Sequence, residues 1–458
     1  MTMNTEKSPK SQPSRWSSQL SFILAATGAA VGLGNIWKFP YEVANNGGSA
    51  FVIAYIVLLL CLGLPILIAE IALGKLGRAS PITTIQKLAA KAHASKKWCY
   101  LGVLSIATLI LVLSFYSVVA GWSIIYLIDS LQGTLINANI QTANASWQAI
   151  MNNPTQMIIY HAIFMTLTMG VIIKGVNKGL ERANKIMMPL LFLCLMVLVI
   201  FAIQSPGFDQ GWHYLLDFKY ADITINTIIN ALGQTCFSLA IGAGAMLVYG
   251  SYVQESTNLG STACIIAIIN MVVALLIGLA MFPIIFSYNL TPIGGPGLIF
   301  QILPVAFSHM PFGSIFSSIF FLLILFAAWT SSLSMAEPVV IMLIEKTKYN
   351  RAGASIITGL TTWVLGIASV LSFNLWGSFT ILGKWNIFTF ITDLTTNVML
   401  PSGILGYTIF AGWKLSKELI TQAIGFNSST FTAIWHFLLK YIAPFAVTII
   451  LLKEIYIL

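Results

Sequence analysis

The chain has 458 residues, 57% of them hydrophobic and only 8% charged, and its mean hydropathy is +0.87. Soluble domains carry about 25% charged residues, so this composition excludes a soluble globular protein. The net charge of +9 is spread along the chain rather than massed in one patch, which excludes a nucleic-acid surface as its purpose.

A bilayer-spanning helix takes roughly 20 mostly apolar residues. Eleven such segments are predicted, near 17–43, 49–77, 99–131, 157–174, 183–203, 226–252, 261–288, 314–346, 352–373, 386–412 and 431–456. The expected fold class is therefore all-α and integral to the membrane. Residues 1–14 are polar and read as a disordered tail. The first segment is no cleavable signal peptide, because it runs without a small-residue cleavage site into Asn46-Gly47-Gly48 and a second apolar run.

Within the first segment, Thr27 to Pro40 contains three glycines, an asparagine, a lysine and a proline. These are poor choices for an unbroken lipid-facing helix. A backbone polar group without a partner in hydrocarbon costs several kcal/mol, so broken helix is tolerated only inside protein or around a cavity. The sixth segment carries a second such stretch, Gln234 to Gly244, with Gly242 and Gly244. Gly28-x-x-x-Gly32 alone is also a small-residue packing pattern. Two interruptions five segments apart instead point to a midplane site in an inverted-repeat transporter.

Lysine and arginine placement predicts the orientation. With the N-terminus cytoplasmic, the inside segments carry Lys7, Lys10 and Arg15, then Lys75, Arg78, Lys87, Lys91, Lys96 and Lys97. They also carry Lys174, Lys178, Arg182, Lys185, Lys346, Lys348, Arg351, Lys414, Lys417 and Lys440. Outside lie Lys219, Lys384 and Lys453, and the C-terminus. Cys61, Cys99, Cys194, Cys236 and Cys264 form no CxxC pair and read as small core residues. The histidines are scattered, and no P-loop, GxSxG or paired nucleophile and base appears, so an enzyme is not expected. Glu70 and Glu337 are acids within apolar segments. Such acids are functional candidates by default, but neither maps to the expected cavity, and both are read as structural, bonding helix ends or loop amides.

The runs from Trp16 to Pro40 and Asn46 to Phe51, Gln234 to Tyr252, and Trp329-Thr330-Ser331-Ser332 to Glu337-Pro338 closely resemble the neurotransmitter:sodium symporter family, in the shorter bacterial branch. The resemblance implies two inverted five-helix repeats, residues 15–203 and 204–412, with 413–458 as an eleventh helix. It implies alternating access driven by sodium entry across a bacterial inner membrane. Two sodium ions are then expected. The first maps onto Ala30, Asn35, Ser238 and Asn270; the second onto Gly28, Val31 and Ala327 through carbonyls and Thr330 and Ser331 through hydroxyls. Sodium is a hard cation that favours such oxygen ligands.

The same resemblance places a substrate carboxylate at the Leu33 and Gly34 amides and the Tyr116 hydroxyl. The substrate amine would meet carbonyls around Ala30, Phe237 and Thr330, the side chain would lie among Ala29, Val112, Phe237, Ala240, Ala243, Ser331 and Met335, and Ser238 is counted with these substrate-binding residues. Monoamine carriers of this family have an aspartate where this chain has Gly32, so the substrate is expected to bring its own carboxylate. The uncharged pocket predicts a neutral, large hydrophobic amino acid. A carrier for another small zwitterion or amine, or a sensor or channel on the same fold, is the alternative. Chloride is expected at Tyr55, Gln234, Ser238 and Asn270, with Ala274 where a serine is usual. The outer gate is expected from Lys38 and Asp393, next to Thr392, and the inner gate from Arg15, Tyr252 and Glu345. The other expected partner is lipid, and the protein is expected as a monomer or weak dimer.

Overall fold

A computed structural model describes residues 15–134, 138–218, 220–290, 297–425 and 428–457. The expected tail at 1–14, with Lys7 and Lys10, and the outside Lys219 lie outside the described residues. Among the described residues the elements are helical, apart from one isolated bridge between Ile381 and Trp385.

Among the described residues, eight helices are long and apolar enough to cross a membrane: Ser49–Gly77, Lys96–Gln132, Pro154–Ile172, Val176–Ile203, Leu259–Ser287, Gly313–Lys346, Arg351–Leu371 and Ser429–Lys453. A ninth span is the pair Gln19–Ala30 and Gly34–Asn45, bent by 49° at the break between them. The other two expected segments are also helical. One is Ile225–Ser238 followed by Ala245–Ser251, and the other is continuous helix over 387–414, with two π-helical stretches. Neither meets the length and hydropathy criteria of a simple span, the first because it is interrupted.

Local chemistry explains where the first break begins and ends. Ser18 caps Gln19–Ala30 by accepting from the Ser21 amide, which satisfies one of the orphan donors of a helix start. The helix stops at Val31, whose ψ is 78°, and the Gly32 amide turns back to the Ala30 carbonyl at 2.9 Å. Ile225–Ser238 opens on a capping box between Thr224 and Thr227. It ends where Ala240, Gly242 and Gly244 all take positive φ, at 52°, 92° and 78°. Glycine adopts this left-handed region at little cost; alanine does not, so Ala240 is held there by its surroundings.

Close backbone approach fixes the inner half of the second broken helix. A Cβ on Gly74 would fall 1.8 Å from the Leu247 carbonyl oxygen, and one on Gly250 would fall 2.4 Å from that of Ile71. Ser49–Gly77 and Ala245–Ser251 therefore pack backbone against backbone, as small residues permit between membrane helices.

Candidate functional site

The two breaks meet at the centre of the bundle. Gln234 Nε2 donates to the Gly34 carbonyl at 2.9 Å. The Leu33 amide donates to the Tyr116 hydroxyl at 3.2 Å. On the other side, Ser331 Oγ donates to the carbonyls of Gly28 and Ala29, each at 3.2 Å. Gly32 is enclosed by these groups: a Cβ there would lie 2.4 Å from Ser331 Oγ and 2.9 Å from the Tyr116 hydroxyl.

A cavity of about 60 Å³ lies against this junction. Ala29, Ala30, Gly32, Leu33, Gly34, Val112, Tyr116, Phe237, Ala240, Ala243, Ser331 and Met335 line it, with Leu109, Cys236, Ile241, Ala245 and Leu400. Eleven of the thirteen residues expected around the substrate are thus brought together. The exceptions are Thr330 and Ser238. The Ser238 hydroxyl points away from the cavity into a polar cluster with Tyr55, 3.0 Å away, and Asn270 Nδ2, 3.4 Å away. Asn270 Nδ2 also donates to the Tyr55 hydroxyl at 3.2 Å, while its Oδ1 accepts from Asn35 Nδ2 at 2.7 Å. Asn35 Oδ1 and Gln234 Oε1 are buried without a partner. An unsatisfied buried acceptor costs about 1–3 kcal/mol, so both oxygens are left able to accept. The Thr330 hydroxyl, expected at a second cation position, donates to the Phe326 and Ala327 carbonyls at 3.1 Å each.

Glu70 gives the second break a hydrogen-bond partner. Its Oε2 accepts from the Gly242 amide at 2.8 Å, at the positive end of the half-helix Ala245–Ser251. This bears out its reading as a helix-end group.

A larger vestibule of about 520 Å³ adjoins the cavity. Leu33, Tyr116, Cys236, Phe237 and Leu400 line both spaces, so they form the partition between them. Lys38, Thr392 and Asp393 all line the vestibule. Lys38 and Asp393 do not form a direct ion pair; Lys38 Nζ instead sits 5.0 Å from the centre of the Phe237 ring. The expected outer pair thus shares the vestibule without closing it.

The end of the bundle where the described chain starts is closed. Trp16 is buried edge-on against Tyr249 and Tyr252, and its Nε1 donates to the Tyr249 carbonyl at 3.0 Å. Here the expected trio of Arg15, Tyr252 and Glu345 is corrected. Arg15 lies 3.7 Å from Glu255, which Arg78 also engages at 2.9 Å. Tyr252 donates to Glu337 at 2.7 Å, and Glu337 pairs with Arg351. Glu345 accepts from the backbone amide and hydroxyl of Ser80. The physical reason is reach: each of these acids is met first by a donor on a neighbouring element. Glu337 is accordingly an ion-pair partner between helices rather than a bonder of helix ends or loop amides. Sequence reasoning missed Arg78, Glu255 and the pairing of Glu337 with Arg351.

The profile of the Sodium:neurotransmitter symporter family matches residues 13–156 and 150–458. The chain belongs to this family. An uncharacterized sodium-dependent transporter of Bacillus subtilis, YhdH, is 37% identical over 97% of this chain and 98% of its own. A second uncharacterized sodium-dependent transporter, from Haemophilus influenzae, is 33% identical over 97% and 99%. Among solved structures, the crystal structure of MhsT in complex with L-phenylalanine superposes with a TM-score of 0.89 at 35% identity, covering 97% of this chain and all of that one. As a member of the sodium:neurotransmitter symporter family the chain is a multi-pass, sodium-dependent membrane transporter, not an enzyme. The chain shares its fold with MhsT.

Proposed function

We propose that the protein is a symporter that couples the entry of two sodium ions to uptake of a neutral, large hydrophobic amino acid by alternating access. The observation that carries this reading is the junction around Gly32. The Leu33 amide and the Tyr116 hydroxyl sit together there, beside a cavity lined without a charged side chain. The Tyr116 hydroxyl, which accepts from the Leu33 amide, keeps its own proton to donate to a carboxylate. A charged side chain deeper in the cavity would be left unpaired at high cost. The lack of room for a side chain at Gly32 argues against an acid that would pair a free amine. The solved relative MhsT holds L-phenylalanine, which agrees with this class. Ala240 and Ala243 are small residues of one wall, and Met335 supplies an adaptable one.

In this reading Asn35, Asn270 and Ser238 with the Ala30 carbonyl hold one sodium, and the carbonyls of Gly28, Val31 and Ala327 with Thr330 and Ser331 hold the other. Tyr55, Ser238 and the Asn270 amide offer three donors in one neutral cluster, with Gln234 beside them. That favours a bound chloride, because two cations in a neutral, low-dielectric site need compensating charge. Residues 15–203 and 204–412 act as the two repeats, in a bacterial inner membrane with the N-terminus inside. Displacement of bound tritiated L-phenylalanine by a panel of twenty amino acids and several amines tests the substrate class. Leucine, methionine, phenylalanine and tryptophan should compete; a panel led by glycine, lysine, glutamate or amines would overturn it.

A further inference from the structure

Asn184 lies on Val176–Ile203, outside every residue set considered above. It is fully buried. Its Nδ2 donates to the Leu180 carbonyl at 2.9 Å. That bond fixes which end of the amide is nitrogen, since the opposite flip would set two acceptors against each other. Oδ1 is therefore directed away from its own helix, and it is buried with no hydrogen-bond partner.

What Oδ1 faces is the first break. A Cβ on Gly28 would lie 2.5 Å from Asn184 Oδ1 and 3.1 Å from Thr330 Cβ, so the amide oxygen, Gly28 and Thr330 converge on one spot. The hydroxyl of Thr27, next in the chain, is also buried and unpartnered. Met188 Sδ lies 3.0 Å from the same Gly28 position; Ala183 and Lys185 flank Asn184 in sequence, and Lys185 turns to Glu181 at 2.6 Å. An asparagine in such surroundings leaves an acceptor without a donor, which is costly unless something else meets it. A hard cation is what an unpartnered, uncharged amide oxygen beside the Gly28 backbone attracts.

We propose that Asn184 Oδ1 belongs to the sodium position built on Gly28, Val31, Ala327, Thr330 and Ser331, and sets its affinity. This rests on the two-sodium reading of the site. Gly28 serves the arrangement by lacking a side chain, since any Cβ would push the amide aside. Asn184 is thus a positioning and affinity-determining residue on a helix outside the two broken ones, and it ties that helix to the occupancy of the break.

The test is equilibrium binding of radiolabelled sodium to the purified full-length protein, with no substrate present, alongside the thermal midpoint of each variant. Asn184→Ala should raise the half-saturating sodium concentration by about tenfold, the usual scale for lost support of a metal site. Asn184→Asp keeps an oxygen in place and should bind sodium at least as tightly as the wild type. Because Asn184→Asp is nearly isosteric, it carries the test even if the alanine variant does not fold. The inference alone is overturned if the wild type binds sodium and Asn184→Ala leaves that binding unchanged. The same holds if Asn184→Asp is weakened about tenfold, as a purely structural role would allow. A wild type that binds no sodium overturns the two-sodium reading itself.

Discussion

The carboxylate of Glu70, on Ser49–Gly77, accepts from the amide of Gly242 at 2.8 Å, in the middle of the second break. This contact gives an interrupted helix a partner within the bundle, where water is scarce. Truncation to Glu70→Ala leaves the amide unsatisfied and should lower stability by about 1–3 kcal/mol. Glu70→Gln still offers a carbonyl acceptor and should lose less. Thermal melting of the detergent-purified variants checks the order: wild type, then glutamine, then alanine.

Gly32 offers a second test. A Cβ would collide with Ser331 Oγ and the Tyr116 hydroxyl, the groups that hold the junction together. Gly32→Ala and Gly32→Asp should each lower amino-acid binding by tenfold or more, about 1.4 kcal/mol or greater. Binding of tritiated L-phenylalanine measures this. Tighter binding of an amine by Gly32→Asp would show that the pocket tolerates the aspartate after all.

Glu337 is fully buried and is held by Tyr252 and Arg351. Removing one partner from a buried pair strands the other charge, at about 3–5 kcal/mol. Glu337→Ala and Arg351→Ala should each lower the melting temperature strongly, and the double variant should lose much less than the sum. Strict additivity would mean that the pair is not coupled.

Chloride dependence follows from the neutral donor cluster at Tyr55, Ser238 and Asn270. Replacing chloride by gluconate should depress sodium-driven uptake. Ala274 is buried on the same helix face, one turn from Asn270, so Ala274→Glu should supply the missing negative charge and relieve the dependence. Uptake indifferent to the anion in the wild type would reject this.

Much of this architecture was legible because hydrocarbon is an unforgiving solvent. A glycine-, asparagine- and proline-bearing stretch inside a membrane-length segment has few uses, so the breaks at Val31 and at Ala240 to Gly244 were readable from composition. The span 49–77 matched because Glu70 is the one charged residue in its apolar run before Lys75. Side-chain partners were less legible. Arg15 reaches Glu255 rather than Glu345, and Glu337 meets Arg351 across a helix connection, because pairings between separate helices leave no periodic trace. Ser238 ends the helix Ile225–Ser238 about 100° round from Phe237, so the helical period already turns its hydroxyl towards Tyr55 and away from the cavity. Asn184 carried no signal, since a lone asparagine reads alike whether it faces a cavity or a neighbouring helix.

The most direct test of coupled transport is uptake of tritiated L-phenylalanine into proteoliposomes under an imposed inward sodium gradient. The account predicts accumulation above the external concentration that collapses when the gradient is dissipated by an ionophore. Uptake that only equilibrates, or that proceeds equally with potassium in place of sodium, would contradict it.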